Sequence, residues 1–156
     1  MHITVLAVGT KMPRWVDEAV IDYSKRFGRD IQFQIKEIKP EKRGAGVNAV
    51  QGMLAEEIRI MAAIPPHSFI VVLDEHGHSL TSMQLAEKLK NWQQQGDHVC
   101  FIIGGADGMT DALKKRAQFM LRLSSLTLPH GMVRVLLTEQ LYRAQSILHN
   151  HPYHRE

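Results

Sequence analysis

Three segments of the 156-residue chain combine residue types that can hold a ligand: VVLDEHG at 71–77, FIIGGADG at 101–108 and LRLSSLTLPHGMVRVLLTEQLYRA at 121–144. Gly104, Gly105 and Gly108 follow directly on an apolar run, where they let the backbone turn sharply and let a ligand approach main-chain atoms closely. The spacing lacks the complete GxGxxG fingerprint, so the same letters equally describe a plain strand-to-helix turn. In LSSLTLPH, residues 123–130, small hydroxyl residues alternate with leucines, offering apolar walls beside main-chain donors and acceptors, as an adenine ring requires. The stretch also reads as a buried strand ending in a Pro turn. Arg143 is permanently charged and presents paired donors that could stabilise an anion; it also stands one helical turn after Glu139, where a salt bridge is the ordinary outcome.

Proton acceptors near these segments are His130, His154 and Asp107, the last of which also suits RNA binding. The tail HNHPYHRE places His149, His151 and His154 close together, yet Pro152 interrupts the segment and no second ligand cluster exists in the chain, so a metal is not expected. Tyr153 could stack on a base and Arg155 could bind phosphate. Lys36, Lys39, Lys42 and Arg43 form a basic stretch that is either solvated loop charge or an RNA-docking surface. The single cysteine, Cys100, lies within HVCFII and is expected to be a core thiol, which leaves no disulfide framework.

The elements that must position these residues follow from hydrophobic periodicity. Apolar, β-branched runs at Ile3–Val8, Ile31–Ile38, Phe69–Leu73 and Val99–Ile103 read as strands. Helical spacing at Val16, Val20, Tyr23 and Phe27 predicts a helix introduced by Pro13 and closed by Gly28. Two more helices are predicted from Met53 to Ala63 and from Ser82 to Gln95, the second ended by Gly96. A last one runs from about Met132 to His149 and is stopped by Pro152. Residues 39–46, KPEKRGAG, read as an exposed, mobile loop. Alternating strands and helices predict one α/β domain over residues 1–156, built on a mostly parallel sheet whose ligands sit beyond the strand C-terminal ends.

Composition narrows the function classes. With 44% hydrophobic and 22% charged residues the chain has the balance of a soluble globular protein. No apolar run approaches a membrane span and the first residues lack a secretory pattern, which predicts a cytoplasmic protein with no membrane partner. A net charge of +3 is compatible with a polyanionic partner without requiring one.

IGGADG, LSSLTLPH, RVLLTEQLYRA, the closing HPYHRE and the opening AVGTKMPRWV together resemble, in that order and across the whole chain, the RlmH family, a minimal branch of the SPOUT methyltransferases that modify bacterial large-subunit ribosomal RNA. The resemblance implies a homodimer whose C-terminal half forms a deep trefoil knot, a fold that general topology rules disfavour. It further implies S-adenosylmethionine held by Leu73, Gly104 and Leu123, Ser124, Ser125, Leu126, Thr127 and Leu128, with transfer of its methyl group to ring nitrogen three of a pseudouridine on the assembled ribosome. Arg143, His130 and His154 are then the expected catalytic residues, and Asp107, Tyr153, Arg155, Lys42 and Arg43 the expected RNA contacts. The rival readings are a nucleotide-binding regulatory module and a non-catalytic ribosome-binding factor.

Overall fold

The protein is described by a computed structural model covering residues 1–44 and 46–154. Five strands form one sheet: β1 (His2–Val8), β2 (Gln32–Ile38), β3 (Ser68–Ser79), β4 (His98–Ile103) and β5 (Phe119–Arg122). Their order is β2-β1-β4-β3-β5 and every pairing is parallel, so each connection must cross over the sheet. Helices α1 (Arg14–Ser24), α2 (Ala49–Ala63), α3 (Ser82–Gln95) and α4 (Asp111–Arg116) make those four crossings, and α5 (His130–Leu148) follows the last strand.

Burial on both sheet faces explains why the central strands β1 and β4 read as continuous apolar runs, whereas the edge strand β2 alternates. Successive side chains of β1 and β4 enter opposite cores. Ile3, Val5, Ala7, Val99, Phe101 and Ile103 pack with Leu85, Leu89, Trp92, Leu137 and Leu141 on one side. Leu6, Val8, Cys100 and Ile102 pack with Ile60, Met109 and Leu113 on the other. Cys100 is fully enclosed, and burial pushes its thiol up to about 12, so it behaves as a core residue, as expected. Among the described residues no helix is long and apolar enough to cross a membrane.

Several boundaries differ from the periodicity, each for a local reason. α1 starts after Pro13 as predicted but ends at Ser24; Gly28 lies in the following turn and donates its N–H to Gln145 Oε1 of α5 at 3.0 Å, so it is a tertiary contact and not the helix cap. α2 begins four residues before the first periodic apolar residue because Asn48 and Gln51 form a capping box. Gly96 does close α3, in the left-handed conformation with φ 73°. α5 is ended before Pro152 by Asn150, whose φ of 54° lets His151 N–H reach Ser146 O at 2.8 Å in a Schellman arrangement. The short α4 and β5 escaped the periodicity altogether, six and four residues being too few to display a repeat. Residues 123–129, which alternate like a strand, form no strand; Ser124 Oγ instead accepts the N–H of Leu126 at 2.9 Å in a local turn.

Leu89 sits in the α3 face packed against the sheet and is fully buried. Leu89→Ala should lower unfolding free energy by about 3 kcal/mol, measured by urea denaturation, with the cleft described below unaffected; a loss under about 1 kcal/mol would mean this face repacks freely.

Candidate active site

The C-terminal ends of four strands open onto a single cleft of about 1130 Å³. Val8 and Gly9 bring in β1, Leu73 to His76 β3, Ile103 to Met109 β4, and Leu121 to Leu128 the end of β5 and the loop after it, while His130 and Val133 of α5 close one side. The topology switches between β1 and β4, and the cleft lies over that point, where parallel sheets place their ligands. All eight residues predicted to hold the cofactor, Leu73, Gly104, Leu123, Ser124, Ser125, Leu126, Thr127 and Leu128, line this one cavity, as do Asp107 and His130.

The walls are leucine-rich, and the loop 123–128 supplies main chain outside regular structure. Among the described residues the main-chain groups of Ser125 and Thr127 make no hydrogen bond, which leaves donors and acceptors facing a ligand-sized apolar space. Asp74 adds a largely enclosed carboxylate that accepts His76 N–H at 2.8 Å and Lys114 Nζ at 2.9 Å. Burial pushes its pKa up, but these donors outweigh burial and the net direction is down, so it stays ionised. Leu126, 78% exposed, is a free apolar side chain at the mouth. A cavity that sets leucine walls beside unengaged main-chain donors and charged side chains of both signs fits a nucleoside with a polar, charged extension.

Gly104 has a different reason to be glycine from the one its sequence context suggests. A Cβ there would stand 2.8 Å from Met109 Cγ and 3.1 Å from the carbonyl carbon of Gly108, so a side chain collides first with the protein's own 104–108 turn rather than with a ligand.

His130, the first residue of α5, has its Nε2 engaged: it accepts Arg134 Nε–H at 2.9 Å. Burial, followed by the neighbouring Arg134 charge, pushes the ring's pKa below its ordinary value, against a hydrogen bond with the Gly104 backbone and the Glu37 charge. The ring is therefore neutral with its lone pair spent, which argues against its expected part as the base. The basic loop is likewise turned inward. Arg43 donates to the buried Glu56, to Glu41 O at 2.6 Å and to Asp107 Oδ2 at 2.8 Å, so two of the expected RNA contacts bind each other and hold the loop against the glycine turn. Lys36, Lys39 and Lys42 remain exposed.

The other expected functional residues sit elsewhere. About 20 Å of helix axis separates His130 from Arg143 along α5. Arg143 forms the salt bridge to Glu139, with both Nε and Nη2 on Oε1 at 2.9 and 2.6 Å. Tyr153 folds back onto it: its hydroxyl lies 2.9 Å from Glu139 Oε1 and 3.2 Å from Tyr23 Oη, and its ring packs 4.7 Å from that of Tyr142. Burial and these oxygen neighbours push the Tyr153 phenol upward, so it stays protonated. His154 is partly buried with Nδ1 enclosed and unpartnered among the described residues. His149 meets Asp30, and His151 Nδ1 accepts Tyr153 N–H. Arg155 lies outside the described residues.

Over residues 1–154 the chain matches the family model described as Predicted SPOUT methyltransferase. The chain belongs to the SPOUT methyltransferases. Within that family it is 77% identical over 156 residues to Ribosomal RNA large subunit methyltransferase H of Neisseria meningitidis serogroup C, with all of both chains covered. It is 65% identical to the Chromobacterium violaceum protein of the same name, again over the full length of each. Among solved structures, a probable methylase family protein from Haemophilus influenzae shares the fold, with a TM-score of 0.63 at 13% identity; 95% of this chain and 66% of that one are covered.

The SPOUT cleft draws on residues that the letters alone did not single out individually, among them Gly9, Asp74, Lys114 and Arg122. The signal that could have found Asp74 is its place directly after an apolar strand. Gly104→Val should abolish ligand binding in calorimetry and also lower the melting temperature, because the added methyls meet the turn itself; full stability with lost binding would restore the simple picture of a blocked ligand. His130 should also leave a mark on acid stability. Since its pKa is lowered from 6.5, its contribution is complete above that value and is lost as pH falls through the lowered one. Melting temperature should drop between about pH 7 and about pH 5, less steeply in His130→Asn; identical slopes would assign the effect to other groups, such as His98.

Proposed function

We propose that the protein transfers a methyl group from S-adenosylmethionine to ring nitrogen three of a pseudouridine in large-subunit ribosomal RNA, acting in the cytoplasm as a homodimer on the assembled ribosome. The observation that carries this reading is the convergence of Leu73, Gly104 and the 123–128 loop on one apolar cleft at the strand ends of a SPOUT chain. Threading of the C-terminal half into a trefoil knot, with the cleft built from its loops, is part of the same reading.

Bound in the cleft, S-adenosylmethionine supplies an electrophilic methyl group on a sulfonium. The chain's own residues then have two tasks: to orient the reactants and to manage the proton that ring nitrogen three must lose. Apolar walls from Leu73, Leu123, Leu126 and Leu128 exclude water, and unengaged main-chain groups at Ser125 and Thr127 suit an adenine edge. Arg143 is the residue suited to a developing pyrimidine anion; its hydrogen bond to Glu139 pushes its pKa up and keeps it charged. His154, with an enclosed and unpartnered Nδ1, is the remaining proton acceptor near it.

Distance makes the dimer part of the chemistry. Because Arg143 lies about 20 Å along α5 from His130, and Tyr153 is docked beside it on Glu139, a single chain cannot apply this group to its own cleft. A second copy, whose α5 end meets the first copy's cleft, would complete the site. Exposed Lys39 and Lys42 beside the cleft wall suit phosphate contacts that carry no sequence information.

Methyl transfer to ribosomes lacking the modification, located by mass spectrometry, tests the reaction. Arg143→Ala should lower transfer by about a hundredfold or more while cofactor binding persists. Leu126→Arg, placing a cation at the cleft mouth, should impair cofactor binding. Mixed dimers of the two variants should recover activity that neither homodimer has, because one cleft of each mixed dimer is intact. Absence of recovery would rule out the shared site, and binding to ribosomes without any transfer would favour a non-catalytic ribosome-binding factor.

A further inference from the structure

Arg134 is 3% exposed, in the second turn of α5, directly behind the cleft residues Gly9 and His130 that it bonds. Each of its three donor nitrogens is committed to a different element. Nη1 bonds Glu37 Oε2 on β2 at 2.7 Å, Nη2 bonds Gly9 O after β1 at 3.0 Å, and Nε bonds His130 Nε2 at 2.9 Å. Burying a guanidinium opposite a single half-exposed carboxylate is a poor way to gain stability, since desolvation offsets most of the attraction. What the arrangement does provide is direction, because a planar fork fixes three partners at once where a lysine cannot.

Two of those partners, Gly9 and His130, line the cleft, and Glu37 immediately precedes Ile38, whose carbonyl accepts Gly9 N–H at 2.9 Å. Gly9 has φ 145°, and a Cβ there would come within 3.1 Å of Arg134 Nη2, so the loop is shaped around the guanidinium. His130 passes the constraint on. With Nε2 accepting from Arg134, the ring proton must reside on Nδ1, so the guanidinium sets both the tautomer and the orientation of the ring.

We infer that Arg134 is a positioning residue for the cofactor cleft, fixing the tautomer and orientation of His130 at the cleft wall while the same guanidinium holds the Gly9 loop. This rests on the cleft being the S-adenosylmethionine site. Arg134 touches neither reactant; it acts through His130, Gly9 and the strand ends they join. His130 thereby becomes a fixed part of the cleft wall rather than the base.

The test combines calorimetry with S-adenosylmethionine, steady-state kinetics, and long-range proton–nitrogen spectra of protein carrying nitrogen-15 histidine. Wild-type protein should show His130 with Nδ1 protonated and Nε2 bare. In Arg134→Lys that single signature should give way to exchange between tautomers, with cofactor Kd and KM raised about tenfold and kcat reduced far less. His130→Gln, which keeps an acceptor at the Nε2 position for Arg134, should hold the Kd within about threefold, whereas His130→Ala should raise it about tenfold. Should Arg134→Lys fail to fold, the two His130 variants and the wild-type spectrum still decide. An Nε2-protonated ring, an unchanged Kd in Arg134→Lys, or equal losses in His130→Gln and His130→Ala would each overturn the assignment. If wild-type protein binds no S-adenosylmethionine, the reading of the cleft fails, and the response of the His130 spectrum to Arg134→Lys alone decides the relay.

Discussion

Parallel strands that end together leave their last main-chain groups facing a common space, and the rest of this molecule is arranged around that constraint. β1, β4 and β5 point their C-terminal ends into it and are followed by segments without regular helix or strand, while β3 contributes Leu73 to His76 from the irregular stretch where its pairing register with β5 shifts. A sheet buried on both faces cannot offer a ligand its flat sides, since both are filled by the two apolar cores. The strand ends are where the ladder stops and free polar groups meet apolar walls.

Two buried charged groups fasten the edges of that space from opposite sides. On the face covered by α2, Glu56 accepts the N–H of Glu41 and the Arg43 guanidinium, and Arg43 in turn reaches Asp107, so loop and glycine turn form one wall. On the α5 side Arg134 joins Glu37, Gly9 and His130. Both networks link residues distant in sequence; the first ends at the 104–108 turn and the second at Gly9 and His130, all of which line the cleft. Their cost in desolvation is an ordinary expense of holding irregular backbone in one shape.

α5 carries the second large-scale consequence. Its N-terminal turn borders the cleft, while its C-terminal half, from Glu139 on, bears Arg143 and the docked Tyr153. A rigid helix of 19 residues keeps these two groups apart within a chain. The separation is what turns an arrangement of one small domain into an argument for two copies working together.

The amino-acid sequence determined the layers. Continuous β-branched runs marked the buried parallel strands, Gly96 marked the end of α3, and the three ligand-bearing segments were legible because each follows an apolar run. Their family resemblance named the chemistry, and the eight cofactor positions it implied do line one cavity. Elements of four and six residues stayed invisible because a period needs more than one repeat to show. Tertiary structure alone decided which polar side chains are free and which are spent. Nothing in the letters distinguishes Arg43, turned onto Glu56 and Asp107, from Lys42 beside it, or marks Arg134 as buried and His130 as its acceptor. Those outcomes depend on residues that meet across tens of positions of chain, and local periodicity carries no information about partners brought together only by the crossing of parallel strands.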